Sequence, residues 1–141
     1  MSVNVLYRTA ARAVGGRDGH AETLDGSFKV TLGVPKELGG NGKGNNPEQL
    51  FASGYAACFI GALKLAASQE KITLPNDVEV TATVGIGPRS DGGFGLEVEL
   101  SVSLPGISSD IAKDLLKKTE FLCPYAHATK GNIKTNIHLA A

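Results

Sequence analysis

Asn46-Pro47-Glu48-Gln49-Leu50-Phe51-Ala52-Ser53-Gly54-Tyr55-Ala56-Ala57-Cys58-Phe59-Ile60-Gly61-Ala62-Leu63 reads as a single helix around which the rest of the chain must be arranged. Its first residues carry helix-start chemistry. Asn46 can cap, Pro47 suits the first helical position, and Glu48 sits in the first turn, where the dipole favours an anion. From Leu50 to Leu63 small and apolar residues cover nearly the whole circumference, and the helix is expected to run to about Glu70. A helix apolar all round belongs in a core, not on a surface. Lys64 breaks the apolar run, which reads as too short and too rich in Gly, Ala and Ser for a membrane span.

The flanks are mostly strands. Val3–Val14 reads as one, and Gly15-Gly16-Arg17-Asp18-Gly19 as a turn. His20–Leu24 and Phe28–Leu32 are strand patterns joined by the turn pair Asp25-Gly26, and Gly39–Asn46 is a flexible loop. Beyond the helix, Val78–Ile86 and Leu96–Leu104 alternate as strands around Ser90-Asp91-Gly92-Gly93. A second helix starts near Ser108 or Ser109 and carries Ile111, Leu115, Leu116, Thr119 and Leu122, with Pro124 just beyond it. Asn132–Leu139 closes as a strand. This order predicts an α+β fold with a largely antiparallel sheet, as one domain over residues 1–141. One sheet face cannot cover a helix apolar all round. A second copy can, so an intimate homodimer with the helix near its centre is expected.

The 14 Lys and Arg balance 14 Asp and Glu. Zero net charge argues against nucleic acid as a partner and against electrostatic attachment to a membrane. The start, Met1-Ser2-Val3-Asn4-Val5, lacks the basic and apolar regions of a signal peptide, so a cytoplasmic protein is expected. In that compartment two cysteines are free thiols, or they cycle. No Cys-x-x-Cys exists and His20, His127 and His138 are scattered, so no metal site is expected. Gly39–Asn46 fails the phosphate-loop pattern, with Glu37 and Gly44 where Gly and Ser or Thr are required.

Cys58 falls in the middle of the apolar helix. Burial there disfavours its anion, and the helix N-terminus is too distant to help, so a reactive Cys58 needs a nearby cation. Cys123 falls at the end of the second helix, where the dipole opposes a thiolate, which makes it the poorer nucleophile. Taken alone, each cysteine also reads as a small buried hydrophobe, Arg17 as a solvated turn residue and Glu48 as a helix-cap carboxylate.

Three segments together resemble a known family. Asn46 to Phe59 looks like the signature of the organic hydroperoxide resistance (Ohr) family of the OsmC/Ohr superfamily. Cys123-Pro124-Tyr125-Ala126-His127-Ala128-Thr129-Lys130-Gly131-Asn132 is similar to its second cysteine motif, and Gly15 to Gly19 to its N-terminal arginine turn. Ala126-His127 departs from the Ser-Asn more usual there. The resemblance implies an OsmC-like fold, with antiparallel sheets wrapped around a central buried helix in an intertwined homodimer. It implies a cysteine peroxidase for organic hydroperoxides, with Cys58 peroxidatic, Cys123 resolving by a disulfide, and Arg17 and Glu48 as polar partners. It also implies an external dithiol as reductant, a lipoylated protein or dihydrolipoamide, and no bound cofactor.

The expected chemistry fits these roles: Arg17 supplies the missing cation and Glu48 can hold it in a bidentate pair. Phe51, Tyr55, Phe59, Phe121 and Tyr125 either line an apolar entrance or simply pack the core. Glu48 and Cys58 are ten residues apart on one helix, about 15 Å along its axis. The expectation is therefore that Arg17 and Glu48 of one subunit complete the site around Cys58 of the other. Two rivals remain: a non-catalytic dimeric module binding a small lipid-like ligand, and an OsmC-type peroxidase of broader peroxide preference.

Overall fold

The computed structural model describes residues 2–140. The chain forms two compact units, one up to Leu50 and one from Phe51 onward. In the first, β1 (Ala11–Val14), β2 (His20–Thr23) and β3 (Lys29–Thr31) make an antiparallel sheet in that order. A single 3-10 turn, Gly16–Asp18, joins β1 to β2. The β2–β3 turn is held by Asp25, whose carboxylate accepts bonds from the Thr23 hydroxyl at 2.7 Å and from the Ser27 amide and hydroxyl at 3.0 and 2.8 Å. Those bonds, the Ser27 amide first, lower the Asp25 pKa to about 2.

The strand expected over Val3–Val14 is realised only in its last four residues. The reason is the partner: β2 is itself four residues long, and after Leu24 N–H bonds Ala10 O at 3.0 Å the chain turns away at Asp25, so among the described residues no strand lies beside residues 3–9. Among the described residues of this unit only Leu32 and Gly33 are buried, while Tyr7, Val14, Leu24 and Phe28 stay exposed.

Helix α1 (Pro47–Gln69) begins in the first unit and continues into the second. Its start is a capping box: Asn46 Oδ1 accepts the Gln49 amide at 2.8 Å, and Gln49 Oε1 accepts the Asn46 amide at 3.0 Å. Lys64 does not interrupt the helix, because it lies on an exposed face. At 23 residues the helix is, by length and composition alone, long and apolar enough to cross a bilayer, which the shorter run read from sequence was not. Its inner face is instead core: Tyr55, Phe59, Ala62, Leu63, Ala66 and Ala67 are buried. Full burial of each large side chain contributes about 1.5–3 kcal/mol. The apolar circumference is thus only half covered within one chain, since Ser53, Ala57, Gly61 and Leu65 remain exposed.

In the second unit β4 (Glu79–Pro88) and β5 (Phe94–Ser103) form the expected hairpin. Val98, Leu100 and Val102 of β5 point inward at period two. Helix α2 (Ser109–Leu122) buries Ala112, Leu115, Leu116 and Thr119, the stripe of one helical face. A further short helix, α3 (Pro124–Thr129), was not expected: Pro124 ends one helix and, as a first-position residue, starts another. β6 (Thr135–Leu139) then pairs with β5 in parallel, from Val98↔Thr135 to Val102↔Leu139. The sheet order is β4-β5-β6. The largely antiparallel reading thus holds for β1–β2, β2–β3 and β4–β5, with β6 the parallel exception. The α2–α3 crossover carries the chain back to where β5 began, and a parallel neighbour needs such a connection.

Candidate active site

The first unit builds an ion pair. Leu32 N–H bonds Gly19 O at 2.9 Å and Gly33 N–H bonds Asn45 O at 2.8 Å, tying the arginine turn and the start of α1 to the end of β3. Two glycines make this approach possible. A Cβ on Gly19 would lie 1.8 Å from Val14 O, and one on Gly33 1.3 Å from Lys43 O. The result is a bidentate pair, Arg17 Nη1 to Glu48 Oε2 at 2.9 Å and Nη2 to Oε1 at 2.7 Å. Arg17's hydrogen bond holds the Glu48 carboxyl below its ordinary value against the opposing effect of burial, and Glu48 raises the guanidinium in return. The Arg17 side chain is 43% exposed and that of Glu48 12%. The pair is fixed at its carboxylate end and open at its cationic end.

The second unit builds a thiol pair. Cys58, one turn beyond Gly54 on α1, is partly exposed, while Cys123 is fully buried, and both are free. Their sulfurs are 3.6 Å apart. Cys123 is the joint between two helices: its amide bonds Thr119 O at 2.8 Å, ending α2, and its carbonyl accepts the His127 amide at 2.9 Å, starting α3. Burial raises the Cys123 pKa, with Cys58 adding to the rise, and the amides of Ala126 and Tyr125 oppose it. Burial outweighs them, so desolvation is the first cause of the raised Cys123 thiol. Ala126 acts here through its backbone, and its small buried side chain fills space beside the core.

Of the five aromatic candidates, three come together. Phe51 meets Tyr55 edge-on at 5.8 Å between ring centres, and Tyr125 lies 6.2 Å from Phe51 and 5.8 Å from Tyr55. Phe59 is buried in the core, and Phe121, 83% exposed, stands apart on α2. These two therefore do not join the cluster beside the thiols: Phe59 points along the inner face of α1, and Phe121 lies on the outer face of α2. Two residues went unnoticed in sequence. The Thr129 hydroxyl lies 3.4 Å from the Tyr55 hydroxyl and so links α3 to α1. Gly54 lies against Tyr125, and a glycine inside an otherwise unbroken helix was the available signal. Among the described residues no group of three or more His, Cys, Asp or Glu is placed to hold a metal ion.

A family model described as OsmC-like protein matches residues 40–138. The organic hydroperoxide resistance protein of Xanthomonas axonopodis pv. citri is 49% identical, over 96% of this chain and 96% of its own. The crystal structure of an organic hydroperoxide resistance protein from Legionella pneumophila superposes with a TM-score of 0.93 at 43% identity, covering 98% of this chain and 100% of that one. For the organic hydroperoxide resistance protein OhrB of Bacillus subtilis the TM-score is 0.87 at 37% identity, covering 96% of this chain and 100% of that one.

Proposed function

Because the chain belongs to the OsmC-like family, and within it to the organic hydroperoxide resistance proteins, we propose that it reduces organic hydroperoxides to alcohols with Cys58 as the attacking thiolate and Cys123 as the resolving thiol. The thiol pair carries this reading: two sulfurs 3.6 Å apart, one reachable from solvent and one buried. A peroxide can approach the first and not the second, and oxidation follows exposure and thiolate character.

In the first step the Cys58 thiolate takes the distal peroxide oxygen. The O–O bond breaks, the alkoxide leaves and is protonated to the alcohol, and Cys58 becomes a sulfenic acid. The Cys123 sulfur then attacks the sulfenic sulfur. The S–O bond breaks, the S–S bond forms, and the oxygen departs as water with the Cys123 proton. For this the sulfurs close from 3.6 Å to about 2.05 Å, a side-chain movement. An external dithiol then exchanges with the disulfide, gives up two electrons and two protons, and restores both thiols. A dihydrolipoyl group suits that step, because its second thiol closes a ring instead of waiting for another molecule. Such cycling fits a reducing cytoplasm.

The active form is a homodimer in which Arg17, held by Glu48, serves Cys58 of the second copy. Three observations support the dimer. The first unit has almost no buried side chains of its own, Val14 of its sheet and Phe28 just before β3 are exposed, and the outer face of α1 is small and uncovered. A three-stranded sheet without a core needs a partner to be stable. Phe51, Tyr55 and Tyr125 supply an apolar wall for the alkyl part of the substrate.

The test is peroxide consumption by the purified protein with cumene hydroperoxide and dihydrolipoamide. Wild type is expected to turn over and Cys58→Ser to show none. Cys123→Ser is expected to oxidise once and then stall or over-oxidise. Turnover by Cys58→Ser at the wild-type rate would overturn the assignment.

A further inference from the structure

We propose that Gly54 is a positioning residue for disulfide formation: the hollow it leaves on α1 seats the Tyr125 ring, and that seat holds Cys123 against Cys58. The inference rests on the thiol-peroxidase reading and adds to it a residue that touches neither peroxide nor sulfur.

Gly54 lies four residues before Cys58, so both are on one face of the helix. Tyr125 lies two residues after Cys123, in the first turn of α3. Two contacts therefore run side by side between α1 and the same short segment. One is the thiol pair at 3.6 Å. In the other, a Cβ on Gly54 would fall 3.0 Å from the Tyr125 hydroxyl, 3.2 Å from Cε2 and 3.4 Å from Cζ. Phe51 and Tyr55 flank the ring, at 6.2 and 5.8 Å between centres, and the rest of it is open, Tyr125 being 39% exposed. Tyr55 in turn reaches Thr129 at the far end of α3, so that helix is pinned to α1 at both ends.

A glycine in a helix interior is unfavourable relative to alanine, so a reason for it is required. Gly61, on the same helix, has nothing within 4 Å of its Cβ position. Of these two α1 glycines Gly54 is the one packed within the chain, and what fills its space is a residue in the first turn of α3, just beyond Cys123. An added methyl displaces the ring by a few tenths of an ångström. With Phe51 and Tyr55 flanking the ring, part of that displacement passes to the first turn of α3, and the Cys123 backbone moves with it. Condensation needs the two sulfurs to close by about 1.5 Å, so a push on Cys123 acts on that step. Attack on the peroxide, by Cys58 with Arg17 and the apolar wall, does not involve Cys123 and is spared.

The experiment uses single turnovers of the full-length protein, with intact mass resolving thiol, sulfenic acid, disulfide and sulfinic acid. Gly54→Ala is expected to form the sulfenic acid at the wild-type rate. Its disulfide should form about tenfold more slowly, the slowing that mild overpacking gives, and sulfinic acid should accumulate with excess peroxide. Adding Tyr125→Phe removes the 3.0 Å contact, and in the double variant condensation should be faster than in Gly54→Ala alone. Tyr125→Ala, which leaves α1 unaltered and so stands if Gly54→Ala fails to fold, should also condense more slowly than wild type.

A parallel arm oxidises the reduced proteins with diamide. One thiol adds across its N=N bond and the second displaces the hydrazine, forming the same disulfide without a peroxide. If diamide closes the wild-type disulfide and the hydroperoxide does not, the peroxidase reading fails, and the diamide rates alone judge Gly54. Condensation at the wild-type rate in Gly54→Ala or in Tyr125→Ala overturns the proposal. So does a double variant that condenses no faster than Gly54→Ala alone.

Discussion

Replacing Glu48 by Gln keeps the shape of the Arg17 partner and removes its charge. The carboxylate receives two guanidinium contacts, at 2.7 and 2.9 Å. The amide keeps one acceptor oxygen and turns its NH2 toward the other guanidinium nitrogen, so two donors face each other. A hydrogen bond to a charged group contributes about 1.5–3 kcal/mol when sheltered. Arg17 is 43% exposed, and screening by water brings the expected loss down to about 1 kcal/mol. In a chain of this length that lowers the melting temperature by about 3–5 °C.

The pH dependence has a definite sign. Arg17 holds the folded Glu48 carboxyl below its ordinary 4.5. A depressed carboxyl contributes its full stability above the unfolded value and loses it as pH falls through the folded one. The gap between wild type and Glu48→Gln should be complete at neutral pH and close on the acid side, where Glu48 is protonated. Melts followed by circular dichroism from neutrality to about pH 3, at one protein concentration, measure it directly. Equal melting temperatures at neutral pH, or a gap that persists unchanged into acid, would refute the reasoning.

Two further outcomes follow from local geometry. Asn46→Ala removes the cap acceptor of the Gln49 amide and should cost about 1 kcal/mol, read as a lower denaturation midpoint with an unchanged slope. An unaltered midpoint would show that the box contributes nothing. In Cys58→Ser, the remaining thiol of Cys123 is buried with its pKa raised by that burial. It should alkylate with iodoacetamide more slowly than a free thiol near pH 8, and a rate equal to that of a small-molecule thiol would contradict the placement.

Much of the framework is legible in consecutive residues. Asn46, Pro47 and Gln49 mark the start of α1, Asp25-Gly26 the β2–β3 turn, and the alternation of Leu96–Leu104 the inward side chains of β5. These are short-range matters: a cap, a turn and a period of two each depend on residues within a few positions of one another. The juxtaposition of Cys58 and Cys123, 65 positions apart, came from a resemblance between motifs and not from their spacing. Phe51, Tyr55 and Phe59 are equivalent as apolar letters, yet only the first two reach Tyr125.

Consecutive residues alone set where α1 and α2 begin, which residue types can cap, turn or react, and that α1 is apolar on nearly every side from Leu50 to Leu63. Packing in three dimensions settled that β6 runs parallel to β5, that no strand of the described residues lies beside residues 3–9, that Pro124 opens a new helix, and that Gly54 receives a tyrosine. Backbone propensity acts over a few residues and can be read along the chain. Adjacency between segments is set by which faces must leave water together, and that depends on the packing of the whole chain.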